Sequence, residues 1–199
     1  MPSELITLSL VWILYFFLHS FFATNYCKEF YFKAFPKRRT NRYRLIYNIL
    51  AVLYLFPVMH FQITSISFYV FKPSRTYLYS GLTLVIISIV LFILAFRNYS
   101  TMEFLGISKP KPENSKLNTK GFNSIVRHPI YLATFVMFMG FFICFPTYST
   151  LTAVICIIAY LVVGSFLEEK RLIKEFGDEY LFYKKEVPML IPFLKLKRK

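Results

Sequence analysis

Residues 130–166 read "IYLATFVMFMGFFICFPTYSTLTAVICIIAYLVVGSF", two apolar runs separated only by "PTYS". Each run is short for a bilayer, which takes about 20 residues of helix, range ~17–25. Pro146 breaks the pattern between them, so the stretch reads as a helical hairpin with its turn at that proline. Working outward to the N-terminus, three longer runs precede it: Leu5–Ala23, Leu45–Phe61 and Tyr77–Phe96. With Ile130–Phe145 and Thr150–Phe166 they make five expected transmembrane helices.

Composition agrees with an all-α polytopic membrane protein. Hydrophobic residues make up 56% of the 199, aromatics 20%, and mean hydropathy is +0.50, values that exclude an ordinary soluble domain. The net charge of +14 does not indicate nucleic acid, because the cations stand between apolar runs and not along one face. Anionic lipid headgroups are the expected counter-charge. Cys27, Cys144 and Cys156 form no CxxC, so neither a disulfide framework nor a metal cluster is expected. No GxGxxG follows a strand and no P-loop exists, which removes a soluble nucleotide fold. The first run lacks a basic n-region and does not read as a signal peptide.

Charge placement sets the expected orientation. Of the 24 Lys/Arg, seven lie in Thr24–Arg44, two in Gln62–Thr76, six in Arg97–Arg127, none in the hairpin turn and nine after Phe166. Five spans put loops one and three and the tail on one side, 22 cations against two. The positive-inside rule then places the N-terminus outside and the tail in the cytoplasm. Asn98 heads an N-x-S acceptor for glycosylation, but this orientation puts it in the cytoplasm, so the match reads as coincidence.

Chemistry is therefore expected on the cytoplasmic side, in the loop around Arg97–His128 and in the tail. Within "SIVRHPIY", Pro129 suits the first turn of a helix, where its missing N–H costs nothing, and His128 before it is biased to extended backbone. A helix that starts this sharply presents free N–H groups that attract a carboxylate, and Arg127 adds a guanidinium fork for the same group. Tyr131, in the first turn, can contact a flat ring. Read as residues alone, the stretch also fits a plain polar flank.

After the hairpin, Glu168 and Glu169 can accept hydrogen bonds from ribose hydroxyls or an amino group, or form a solvated i,i+3 pair with Arg171. In the tail, Leu172, Ile173, Phe176, Tyr180 and Tyr183 share one face, as in a helix lying on the headgroups. Gly177 and Asp178 read as a helix stop and a new N-cap, dividing the tail into two short helices. His19 and His60 read as packing or interhelical hydrogen-bonding residues. "RYRLIYN" at Arg42–Asn48 reads as the flank of the second span.

In order along the chain, "LNTKGFNSIVRHPIY", a hairpin, and "LEEKRLIKEFGDEYLFYKKEVPMLIPF" resemble the isoprenylcysteine carboxyl methyltransferase family over about Leu117–Phe193. "VPMLIP", the "FLG" at Phe104–Gly106 and the early "LHSFFA" are most similar to its bacterial branch, which includes methanethiol S-methyltransferases and NnrU-like proteins. The resemblance implies one integral-membrane domain, residues 1–199. Helices 1–3 occupy 1–96, and a catalytic region in 97–193 encloses S-adenosyl-L-methionine. It implies cofactor contacts from Lys116, Leu117 and Asn118, from His128, Pro129 and Tyr131, and from Glu168, with Glu169 completing the acidic pair and Arg127 beside them. No metal and no obligate protein partner is implied.

Two positions depart from the family pattern. Asn123 stands where a tyrosine usually follows the glycine by two residues. Gly164 stands where the eukaryotic carboxyl methyltransferases carry an arginine assigned to the substrate, which weakens a prenylcysteine carboxylate as acceptor. The expected reaction is transfer of a methyl group to a thiol or an isoprenylcysteine-type carboxylate. Its competitors are a phospholipid amine N-methyltransferase and a non-catalytic membrane transport or assembly protein. In-line displacement mainly requires alignment, so no residue is assigned as general base.

Overall fold

A computed structural model describes residues 2–35, 40–65, 67–97, 101–108 and 116–192. The described residues are helical, without a strand: α1 (Pro2–Phe22), α2 (Asn25–Ala34), α3 (Thr40–Thr64), α4 (Arg75–Phe96), a single turn α5 (Thr101–Phe104), a 3-10 turn (Gly121–Ser124), α6 (Pro129–Cys144), α7 (Tyr148–Phe176) and α8 (Asp178–Glu186). Asn98 and the end of the family-like tail at Phe193 lie outside the described residues.

Four helices are long and apolar enough to cross a membrane, on Ser3–Phe22, Arg42–Thr64, Arg75–Phe96 and Tyr148–Phe176. α6 has 16 residues, about 24 Å of helix, against a hydrocarbon core of roughly 30 Å. α7 has 29 residues, about 43 Å, and so carries Glu168 onward past its apolar stretch without a break. This corrects the tail. Its first segment is the end of α7, and only α8 is separate. Gly177, at φ +56, caps α8, and Asp178 is the first helical residue, making no side-chain cap. Tyr180 and Tyr183 face protein instead of headgroups: they are 1% and 7% exposed.

The bundle divides into two packing units. α1, α3 and α7 share a core of Leu8, Trp12, Val58, Ala153, Ile157 and Leu161. α1 and α3 are antiparallel, as three contacts show: Trp12 Nε1 donates to Gln62 Oε1 (3.0 Å), Tyr47 Oη pairs with the His19 ring, and Tyr43 Oη donates to Phe22 O. "RYRLIYN", expected to be only a flank, thus ties one end of the bundle together. Its other face joins α5 and its exit, Arg44 donating to Glu103 O (3.2 Å) and Asn48 to Leu105 O (3.0 Å). His19 is an interhelical hydrogen-bonding residue as expected, whereas His60 is exposed.

α4 and α6 form the second unit, antiparallel and in close contact. Gly81, Ser88 and Ala95 are buried at seven-residue intervals on α4. Opposite them run Gly140, Ala133 and, just before α6, Val126, again seven apart and all buried. Small side chains at such spacing let two backbones approach along a seam. At its far end a Cβ on Gly81 would lie 2.5 Å from Cys144 Sγ and 2.7 Å from Gly140 O.

The α6–α7 hairpin turn is pinned to the α3–α4 loop. Val70 N donates to Pro146 O (2.7 Å), Tyr148 N to Phe68 O (3.0 Å) and Ser149 N to Ser67 Oγ (2.8 Å). The two poorly charged turns therefore share one end of the bundle, and the RHP loop and α8 lie at the other.

Candidate functional site

Val126, one residue before Arg127, is fully buried, and its N–H donates to Phe122 O (3.2 Å). His128 takes φ −122°, Pro129 occupies the first helical position, and His128 makes no side-chain capping bond. The N–H groups of the first turn of α6 thus have no acceptor from the helix itself.

The C-terminal segment straps this loop down. Arg127 N donates to Pro188 O (2.9 Å), His128 N to Met189 O (3.2 Å) and Tyr183 Oη to Asn123 O (2.6 Å). Asn123, where the family pattern has tyrosine, is buried and donates through Nδ2 to Asn118 O (3.1 Å). Tyr183 of α8 packs on this segment through that bond to the Asn123 carbonyl. Asn118 thereby joins the assembly, with Leu117 half-buried beside it, while Lys116 is exposed.

Arg127 is turned inward. Its Nε and Nη2 donate to Glu169 Oε1 at 2.8 and 2.5 Å, and Nη1 donates to the carbonyls of Lys184 (3.0 Å) and Val187. Glu169 is 2% exposed, and its second oxygen takes Lys184 Nζ at 2.5 Å. The fork expected to hold a ligand carboxylate is therefore committed to Glu169 and two backbone carbonyls. The network joins α7, the RHP loop and α8 around one desolvated carboxylate, which is costly to leave unpaired.

Glu168 differs from its neighbour. Its side chain is 35% exposed, with Arg171 at 3.9 Å and His128 Nδ1 3.4 Å from Oε2. The His128 ring is buried and stacked on Tyr131, centroids 5.3 Å apart and planes at 13°. Its Nε2 lies 3.4 Å from Glu169 Oε1 without forming a directed hydrogen bond. Burial disfavours the imidazolium, but Glu168 and Glu169 against its two nitrogens hold the pKa above the ordinary 6.5.

Arg127, His128, Pro129, Tyr131, Glu168 and Glu169 thus converge although 42 positions separate Arg127 from Glu169. Sequence reasoning missed Lys184, hidden in a basic run, and the carbonyls of Pro188 and Met189. The VP that ends α8 was the available signal, because a chain stopped there by Pro188 can fold back onto the loop.

The donor set suits a nucleoside-bearing cation. Glu168 is an acceptor open to solvent, Tyr131 and His128 offer a flat stacked surface, the start of α6 offers N–H groups, and His128 Nε2 is a buried polar atom lacking a directed partner.

Residues 76–179 match the family model described as "Phospholipid methyltransferase". A methanethiol S-methyltransferase of Crocosphaera subtropica is 38% identical over 79 residues, covering 40% of this chain and 30% of the relative. One from Bradyrhizobium diazoefficiens is 47% identical over 68 residues, 34% of this chain and 23% of the relative. The human protein-S-isoprenylcysteine O-methyltransferase is 36% identical over 96 residues, 45% of this chain and 32% of the relative. The chain thus spans only about a quarter to a third of the length of these relatives. No solved structure matches. The family match covers α4 through α7 and the start of α8, more than half the chain, and this chain belongs to the phospholipid methyltransferase family, in which isoprenylcysteine and methanethiol methyltransferases are its relatives.

Proposed function

We propose that this chain is an integral-membrane methyltransferase that uses S-adenosyl-L-methionine and transfers its methyl group to a thiol or an isoprenylcysteine-type carboxylate. The observation that carries the reading is the half-exposed Glu168 beside the His128–Tyr131 stack, held at the start of α6 by the buried Arg127–Glu169–Lys184 network.

When bound, the cofactor supplies a methyl group activated on a sulfonium. The chain supplies position. Glu168 accepts hydrogen bonds from the nucleoside, the Tyr131 and His128 rings cover a flat face, and the first turn of α6 takes the carboxylate. Lys116, Leu117, Asn118 and Pro129 border the same opening, while Arg127 and Glu169 set its shape. In-line transfer rests on this alignment, because the sulfonium needs no further activation.

In this reading the chain is one domain, with 1–96 as membrane helices and 97–193 carrying the cofactor. It crosses the membrane five times, α6 included, with the N-terminus outside and the tail cytoplasmic. The donor enters from the cytoplasm and an apolar acceptor from the lipid between helices. Lipid and a small or lipid-like acceptor are its partners.

A second reading, methylation of a lipid amine, is favoured by the description of the matching family model. One experiment separates them. The purified protein in detergent is incubated with labelled cofactor and methanethiol, a prenylcysteine or phosphatidylethanolamine. Label in a thioether or methyl ester is expected; label only in the lipid selects the second reading, and no saturable cofactor binding overturns both.

A further inference from the structure

α2 (Asn25–Ala34) begins just after the apolar span of α1 ends at Phe22, which puts it at the level of the lipid headgroups. Thr24 caps it by accepting from Cys27 N (3.4 Å), and none of its residues is buried. One face is held by α3: the Tyr31 and Phe32 rings lie 5.2 and 6.4 Å from that of Tyr43. At about 100° per residue, Tyr26 and Phe30 stand on one flank of that face and Lys28 on the other. The Tyr26 and Phe30 side chains are 71% and 69% exposed, an aromatic edge of the kind that a helix lying on a bilayer turns toward the acyl chains. Lys28 is thereby turned to the water side of the helix, where phosphate groups lie.

Two arginines join it there. Arg44 follows Tyr43 on α3 and donates to Glu103 O at 3.2 Å. Arg171 stands one turn beyond Glu168 on α7, its side chain exposed and 3.9 Å from that carboxylate, which His128 already shares. Partial burial, and then the charges of Arg171 and Arg44, hold the Lys28 ammonium below its ordinary pKa. Three helices thus turn cations toward one another, and among the described residues no carboxylate pairs with Lys28. Like charges gathered in this way are unfavourable without a counter-ion. The cofactor cannot be that counter-ion, because S-adenosyl-L-methionine itself brings a net positive charge to Glu168. The cluster therefore suits an anion, and the exposed rings of α2 place a bilayer, the source of phosphate groups, directly beside it.

We propose that Lys28, Arg44 and Arg171 together hold the phosphate of an anionic phospholipid beside the Glu168 opening, and that this phosphate eases binding of the cationic cofactor. The lipid is a bound partner and not the methyl acceptor. The phosphate site stands on the cluster alone; its effect on the cofactor rests on the methyltransferase reading above. With the phosphate in place the three cations no longer oppose a sulfonium at Glu168, and without it they do.

Wild type, Lys28→Gln and the double variant Lys28→Gln with Arg171→Gln are purified in a neutral detergent with a few equivalents each of phosphatidylglycerol and phosphatidylcholine. Phosphatidylglycerol supplies the phosphate and carries no thiol, carboxylate or amine to methylate. Mass spectrometry of the intact complexes counts the lipids retained, and calorimetry gives the cofactor Kd with either lipid. Lys72→Gln, in the α3–α4 loop at the far end of the bundle, is the control. Wild type and Lys72→Gln should retain phosphatidylglycerol over phosphatidylcholine by about fivefold or more, Lys28→Gln less, and the double variant by under about twofold. Phosphatidylglycerol should tighten cofactor binding to wild type about fivefold and leave the double variant unchanged. In phosphatidylcholine the double variant should bind cofactor at least as tightly as wild type. No lipid preference in wild type, the same preference in the double variant, or an equal loss in Lys72→Gln overturns the site. Inorganic phosphate that tightens cofactor binding as well as the lipid does assigns the cations to a soluble anion and overturns it too. A wild type that binds cofactor equally with both lipids overturns the coupling. A wild type that binds no cofactor at all removes the methyltransferase reading, while the lipid counts still decide this one.

Discussion

The two flanks of α6 are built on opposite rules. Toward α4, Gly140 meets Gly81, and the backbones approach until an added methyl group at Gly81 has nowhere to go. Toward α7, the same helix presents Tyr131 and, at its cap, His128 to an acidic pair. The first flank fixes where the helix starts; the second uses the start. The division continues inside α7, where Glu169 is sealed among Arg127 and Lys184 and adjacent Glu168 remains open. One 16-residue helix thus carries a closely packed face toward α4 and a polar one toward α7.

Breaking the sealed carboxylate should have the largest effect. Glu169→Ala leaves two cations without their shared partner and is expected to cost about 3–5 kcal/mol, or to abolish folding, in detergent unfolding curves. A loss below about 1 kcal/mol would show that the brace is dispensable. Next is the seam: Gly81→Ala brings a Cβ within 2.8 Å of Cys144 N as well as of Gly140 O, so the backbones must part, at a cost of about 1–3 kcal/mol.

Gly164→Ala sharpens the comparison from the open flank. The added methyl group finds ordinary contact at 3.6 Å and alanine favours helix, so stability should hold or rise by up to about 1 kcal/mol. A loss of more than about 1 kcal/mol would show that this flank is as tightly packed as the one toward α4.

The smallest effect is the pH dependence of His128. Its folded pKa is raised, so the stabilisation is fully present below pH 6.5 and is lost as pH rises through the folded value. The stability difference between wild type and His128→Asn should therefore shrink as pH rises above 6.5. A difference that grows with pH would contradict the placement of both carboxylates against the ring.

Much of this arrangement was legible in the sequence because it is local. The α6 start follows from Pro129, the hairpin from Pro146, and the interhelical bond of His19 from its place in an apolar run. The roles of Glu168 and Glu169 were not separable, because two adjacent carboxylates differ only in what folds against them. The 100° between successive helical residues turns one toward Arg127 and the other toward solvent. Arg127 was misdirected for the same reason: its partners lie at Glu169 and at carbonyls 57 and 60 positions away. Tyr180 and Tyr183 share an apolar face that fits headgroups equally well in the sequence, and their burial depends on the distant segment that α8 packs against, Asn123 included.

The central claim is that Glu168 faces the cofactor and Glu169 does not. Calorimetric titration of S-adenosyl-L-methionine into wild type, Glu168→Gln and Glu175→Gln tests it most directly, since Glu175 is exposed further along α7. Wild type should bind saturably, Glu168→Gln about tenfold or more weakly at unchanged stability, and Glu175→Gln like wild type. Equal affinities for all three would contradict the site.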